Sequence, residues 1–126
     1  MEQNYLIDTN VVIDFFGNKL PQNGIILLKS ITPTVSAVTQ IEVLGWINPT
    51  KEQLQPLTDF MDIATILPIN EATIQQTIQL RQQLKIPLGD AIIAATALVH
   101  NLTIITRNTK DFTRIENVKT IDPHSL

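Results

Sequence analysis

Tyr5-Leu6-Ile7-Asp8-Thr9-Asn10 decides the reading of this chain. A short apolar run ends on a carboxylate, and a helix-like pattern, Val11-Val12-Ile13-Asp14-Phe15-Phe16, follows at once. In open α/β folds ligands bind outside the C-terminal ends of the strands, so a strand that delivers an acid to that edge is building a polar site there. Asp8 is the first candidate of that site.

Outward from this stretch, apolar clusters alternate between strand-like and helix-like lengths. Strands are expected near 4–8, 34–37, 63–67 (closed by Pro68), 102–106 and 118–121, and helices near 10–16, 22–30, 39–47, 51–62, 71–85 (stopped at Pro87) and 90–99. Strands alternating with helices predict a parallel sheet covered by helices on both faces. In the 90–99 segment Ala91, Ala94 and Ala95 fall at helical spacing between Ile92 and Leu98, which marks a core helix able to approach its neighbours closely. Asp90 would be held at its start, and the helix would end at His100-Asn101.

The chain has 126 residues, the size of one domain with its own core, and no repeat or linker interrupts it, so a single domain over 1–126 is expected. There is no cysteine, which removes disulfides and thiolate metal sites and leaves oxygen and imidazole ligands, the set preferred by hard cations. Met1-Glu2-Gln3-Asn4-Tyr5 is not a basic leader, and no apolar run approaches the roughly 20 residues of a membrane span, so a soluble cytoplasmic protein is expected. The net charge of −3 argues against a generally basic coat for nucleic acid. Six of the nine basic residues (Arg81, Lys85, Arg107, Lys110, Arg114 and Lys119) nevertheless lie in the C-terminal half, either as ordinary surface or as a basic rim around an acidic pocket.

Four of the twelve acids sit where the chain changes element: Asp8, Glu42, Asp90 and Asp111. Each has a structural explanation. Asp8 with Asn10 suits an Asx turn or helix cap, Glu42 stands at capping-box spacing from Thr39, Asp90 can cap its helix, and Asp111 can be a loop residue. Together they suggest something else. Strands carrying Asp8 and Thr106, as parallel neighbours, would bring the acids to one edge. Two carboxylates about 5 Å apart repel by about 3 kcal/mol at an effective dielectric of ~20. A cluster of four therefore needs bound protons or a cation, and Mg²⁺ suits an all-oxygen set.

Asp8-Thr9-Asn10, Thr39-Gln40-Ile41-Glu42, Leu88-Gly89-Asp90-Ala91-Ile92-Ile93-Ala94-Ala95, and Thr106-Arg107-Asn108 with Lys110-Asp111-Phe112 resemble, in order, the motifs of PIN-domain ribonucleases, and among them the VapC toxins of VapBC toxin–antitoxin pairs. The resemblance implies a PIN-like three-layer α/β fold, with a central parallel sheet of four to five strands flanked by helices. It also implies a Mg²⁺- or Mn²⁺-dependent endoribonuclease. Asp8 and Asp90 would be direct metal ligands, and Glu42 and Asp111 would act through water or a second metal. Asn10, Thr106 and Asn108 would support the site. The implied partners are RNA, a second copy of the chain and a small antitoxin that covers the acidic pocket; apolar surface beside the helices at 22–62 would serve such contacts.

The residue types agree with phosphodiester hydrolysis, leaving a 5′-phosphate and a 3′-hydroxyl, since carboxylate-held cations suit an in-line displacement. Neither histidine falls in a motif: His100 reads as a helix terminus and His124 as a loose tail. Arg107 is a candidate RNA contact or else one half of a surface ion pair. Trp46, on the helix carrying Glu42, reads as core or as interface. Asp14 lies 240° around a helix from Asp8 and should face away from a site at the helix start. Two competing functions remain: a catalytically silent RNA- or protein-binding module, and a phosphotransferase with Asp8 as nucleophile. The second would want another acid two residues on, where this chain has Asn10.

Overall fold

The computed structural model describes residues 4–126, and five short strands and six α-helices alternate along them. In order they are β1 (Tyr5–Ile7), α1 (Thr9–Phe16), α2 (Gln22–Lys29), β2 (Thr34–Ser36), α3 (Ala37–Leu44), α4 (Lys51–Ile63), β3 (Thr65–Leu67), α5 (Glu71–Gln83), α6 (Leu88–His100), β4 (Thr103–Ile105) and β5 (Lys119–Ile121). A single 3₁₀ turn, Thr109–Asp111, lies between β4 and β5. Among the described residues no helix is long and apolar enough to cross a membrane.

All strand pairs are parallel. β4 lies between β1 and β5, with Ile7 opposite Ile105 and Ile105 opposite Ile121. β2 pairs with β3, Ser36 opposite Leu67. The strand layer is thus two hydrogen-bonded ladders, with β2 lying beside β1. Successive strand residues point to opposite faces. Leu6 and Ile104 pack with Leu80, Ile93, Ala94, Ala97 and Phe112 under α5 and α6. Ile7, Val35 and Ile105 pack on the other face with Val11, Val12, Val43, Leu57 and Met61 from α1, α3 and α4. Both faces are covered, which accounts for strands that read as unbroken apolar runs.

Several boundaries differ from the sequence expectation for local reasons. α3 starts at Ala37 because Ser36 caps it, its side chain accepting from Val38 N. Thr39 is therefore inside the helix, and the capping box expected with Glu42 does not form; the real one joins Thr50 and Gln53 at the start of α4. α3 also stops at Leu44, so Trp46 lies beyond it and is 40% exposed rather than core. α6 starts at Leu88 after Pro87, which places Asp90 in the first turn and not at the cap. It ends at His100, as expected, with Asn101 left-handed at φ 55°. Asp111 belongs to the 3₁₀ turn and not to an irregular loop.

Candidate active site

Parallel strands carry their C-terminal ends to one edge, and the acids are delivered there. The Asp8 backbone N–H donates to the Ile105 carbonyl (2.9 Å), so Asp8 is fixed by the ladder it terminates. It is also the N-cap of α1, its Oδ1 accepting from Thr9 N at 2.7 Å. Asp8, and not Asn10, therefore caps this helix. Oδ2 accepts from the Thr106 hydroxyl (2.8 Å) and from Asn10 Nδ2 (3.2 Å).

Thr106, fully buried after β4, is the junction of this network. Its hydroxyl donates to Asp8, accepts from the backbone N–H of Asn108 (3.0 Å) and lies 3.4 Å from Asn10 Nδ2. Asn108 thus joins through its main chain. Asn10 Oδ1 accepts the backbone N–H of Arg107 (3.1 Å), which ties α1 to the chain leaving β4.

Glu42 approaches from α3. Its Oε1 accepts from the Thr9 hydroxyl (2.7 Å), which also lies 3.0 Å from the hydroxyl of buried Thr39. Its Oε2 lies 3.3 Å from where a Cβ on Gly89 would stand, so the missing side chain at Gly89 admits Glu42 to the first turn of α6 beside Asp90. Thr9, Thr39 and Gly89 join this candidate site; the sequence reading gave Thr9 and Gly89 no role of their own and Thr39 only that of a helix cap. Thr39 carried a usable signal, since three residues before Glu42 places both on one helix face.

The four carboxylates act on one another electrostatically. Burial pushes the Asp8 carboxyl up to about 6, and the charges of Asp90 and Glu42 add to this, while the hydrogen bonds from Thr106 and Thr9 oppose it. Asp90, half-buried, is raised first by burial and then by Asp111 and Glu42. Glu42 and Asp111 are exposed. As they stand, no three acidic or imidazole groups among the described residues enclose an ion. The donor set still fits a hard divalent cation: two carboxylates held against their preference for charge, two more within their field, and oxygen donors throughout.

The side chains of Arg107 and His124 turn instead to Asp14. Arg107 NH1 is 2.9 Å from both oxygens of Asp14, and His124 Nε2 is 3.0 Å from Asp14 Oδ2. Arg107 is thus an ion-pair residue, and His124 is anchored rather than loose. Arg114 NH2 donates to the Lys85 carbonyl, so this second arginine is also occupied within the fold.

The profile of the PIN domain matches residues 5–118. Ribonuclease VapC1 of Methanocaldococcus jannaschii is 31% identical over 121 residues, covering 91% of this chain and 83% of that protein. The structure of a toxin–antitoxin complex from Klebsiella pneumoniae superposes with a TM-score of 0.79 at 32% identity, covering 98% of this chain and 100% of the other. DNA-bound VapBC from Salmonella typhimurium gives 0.86 at 22% identity, covering 97% and 99%, a likeness of fold. With the fold, the ordered motifs and the acidic edge in agreement, the chain belongs to the PIN-domain family, in its VapC group.

Proposed function

We propose that this chain is a Mg²⁺- or Mn²⁺-dependent endoribonuclease, a single PIN domain acting in the cytoplasm as the toxin of a type II toxin–antitoxin pair. The observation that carries this reading is the convergence of Asp8, Glu42, Asp90 and Asp111 on one sheet edge, with Asp8 and Asp90 both raised toward the neutral form. The VapC1 relative, whose name is that of a ribonuclease, supports the same chemistry.

In this reading Asp8 and Asp90 hold the cation directly, and Glu42 and Asp111 complete the site through water or a second ion. A divalent cation there supplies charge neutralisation for the phosphodiester and for the water that attacks it. The protein's own groups do the rest. Thr106, Thr9 and Asn10 donate to Asp8 and fix both of its oxygens. Thr9 orients Glu42, an exposed carboxylate, at the rim of the site. RNA is cut to leave a 5′-phosphate and a 3′-hydroxyl.

Partners follow from the apolar surface. A groove of about 560 Å³ between α1, α2 and α4 is lined by Val12, Phe15, Phe16, Leu28, Phe60 and Ile63. Phe16 packs edge-on against Phe15 (centroids 5.1 Å apart) and Phe60 (5.5 Å), making a firm apolar floor. We assign this groove to a helix of a cognate antitoxin. Trp46 lines an adjoining groove with Ile13, Phe16 and Pro56, which favours its interface role. Ile74 and Ile78 stand exposed four apart on α5 and suit a second copy in a homodimer.

The test incubates the purified protein with a panel of structured RNAs, with and without Mg²⁺ or Mn²⁺, beside Asp8→Asn and Asp90→Asn. Cleavage that needs the cation and is lost in both folded variants is expected. Metal-independent cleavage, or cleavage undiminished in both variants, would overturn the assignment; a folded parent inactive on every RNA would favour the binding module.

A further inference from the structure

Asp14 is a buried acid that the four-carboxylate site does not use. It is 2% exposed, within the apolar stretch of α1. A carboxylate at that depth requires charged or hydrogen-bonded partners. It has two, Arg107 NH1 at 2.9 Å from each oxygen and His124 Nε2 at 3.0 Å, and they come from the separate segments that follow β4 and β5.

Arg107 lies between Thr106 and Asn108, in the stretch that leads from β4 to Asp111. The sheet supports that stretch only as far as Thr106, whose N–H donates to the Ile121 carbonyl. From there to Asn108 side chains hold the backbone, and the Asp111 N–H then donates to the Asn108 carbonyl at 3.0 Å. Thr106 Oγ1 accepts from Asn108 N, Asn10 Oδ1 accepts from Arg107 N, and Asp14 grips the Arg107 guanidinium. Asn10 and Asp14 are four residues apart on α1 and so share a helix face. One helix face thus holds Arg107 twice, by main chain and by side chain.

The other partner brings a second segment to the same carboxylate. After β5 the chain runs through buried Pro123, whose carbonyl oxygen lies 2.5 Å from where a Cβ on Gly24 would stand. Asn23 Nδ2 donates to the Leu126 carbonyl at 3.1 Å, and His124 meets Asp14. Residues 122–126 therefore strap α2 and α1 together at the point where α1 holds Arg107.

We infer that Asp14, with His124 behind it, is a positioning residue that acts through Arg107 to hold Asn108 and, through it, to set Asp111 within the field of Asp90. The inference rests on the nuclease reading for its catalytic consequence but not for its structural one. It assigns Arg107 a role inside the fold instead of on RNA.

The experiment separates the two levels. Amide hydrogen exchange on the metal-free full chain needs neither cation nor RNA. Asp14→Asn and Arg107→Gln are expected to speed exchange at Arg107, Asn108 and Asp111 by about 10-fold while the α6 core amides keep the parent rate. In the same proteins Mn²⁺ affinity and kcat should fall by about 10-fold with KM for RNA nearly unchanged, as when the support of a metal ligand is removed. Arg107→Lys should recover part of this, and His124→Asn should give a smaller loss than Asp14→Asn. Parent-like exchange at those amides in the folded variants would overturn the inference. So would a raised KM at constant kcat, which would make Arg107 an RNA contact. If Asp14→Asn does not fold, Arg107→Lys and His124→Asn decide the matter by the same exchange measurement. A parent that cleaves nothing, while exchange still answers to Asp14, would refute the nuclease reading and leave the positioning role standing.

Discussion

Replacing Asp8 with asparagine is expected to stabilise the metal-free protein while abolishing cleavage. The Asp8 carboxyl stands at about 6 in the fold against an ordinary 3.8, a difference of about two units. At 1.36 kcal/mol per unit, ionised Asp8 costs the native state about 3 kcal/mol near neutral pH. The sign follows from the raised value. Between pH 3.8 and about 6 the native state binds more protons than the unfolded chain, so this group's contribution to stability falls as pH rises through that window and levels off above it. Asparagine removes the charge and keeps the helix cap, because Asn and Asp cap equally well. It also sets an NH₂ where Oδ2 accepted from Asn10 Nδ2 and the Thr106 hydroxyl; that hydroxyl can turn to accept from the NH₂, and the exchange loses about 1 kcal/mol of hydrogen bonding. The net gain should be about 2 kcal/mol at about pH 7.5, or roughly 6–10 °C in Tm for a chain of this size. At about pH 4.5 the cost of ionised Asp8 shrinks to about 1 kcal/mol, and the gap between the two proteins should nearly close. Urea or thermal unfolding in chelator at both pH values measures this. Mg²⁺ at about 100 times its Kd should then stabilise the parent by about 2.7 kcal/mol and not the variant, reversing their order. An Asp8→Asn protein less stable than the parent in chelator at about pH 7.5, with a gap insensitive to acidification, would refute the reasoning.

Thr106→Val removes a hydrogen bond that lowers the Asp8 carboxyl, so the acidic limb of the pH–rate profile should move to higher pH, with about 1–3 kcal/mol of stability lost on denaturant unfolding. Gly89→Ala adds a Cβ 3.3 Å from Glu42 Oε2. Helix propensity gains up to about 1 kcal/mol, so Tm should hold or rise while cleavage falls severalfold. Gly24→Ala would place a Cβ 2.5 Å from the Pro123 carbonyl oxygen, and about 1–3 kcal/mol of stability should be lost, with faster amide exchange at His124 and Ser125.

The strands flanking the site were legible because Leu6-Ile7 and Ile104-Ile105 are apolar on both faces and their runs are short, which suits a doubly covered parallel strand. The core helix α6 was legible from Ala91, Ala94 and Ala95, all fully buried as their spacing required. The edges of α3 were not. Thr39 and Glu42 imitate a capping box, while Ser36, the real cap, reads as the end of a strand. A signal for the other end was present at Gly45: the backbone leaves the helix there in a conformation that would bring a Cβ within 2.6 Å of the Ile41 carbonyl oxygen, so the helix ends at Leu44 and Trp46 lies outside it. Asp14 shows a different kind of limit. Helical geometry gives the direction in which its side chain leaves α1, but the partners waiting there are 93 and 110 residues away in sequence. No local pattern carries that information.

The placement of charge makes this edge a good fit for a cation. Among the described residues every donor that touches Asp8 is neutral: a backbone N–H, a hydroxyl and an amide. Glu42 is likewise held by a hydroxyl. Among the described residues the ion pairs belong to Asp14, so the nearby positive charge of Arg107 is committed to an acid outside the quartet. Neutral donors fix the geometry of a carboxylate without satisfying its charge. In their position an arginine would have done both and left less for a ligand to gain. The raised values at Asp8 and Asp90 are the cost of that arrangement, and a divalent cation bound there would offset it. The same substitution that stabilises the metal-free fold should therefore remove the affinity, because both effects come from one uncompensated charge.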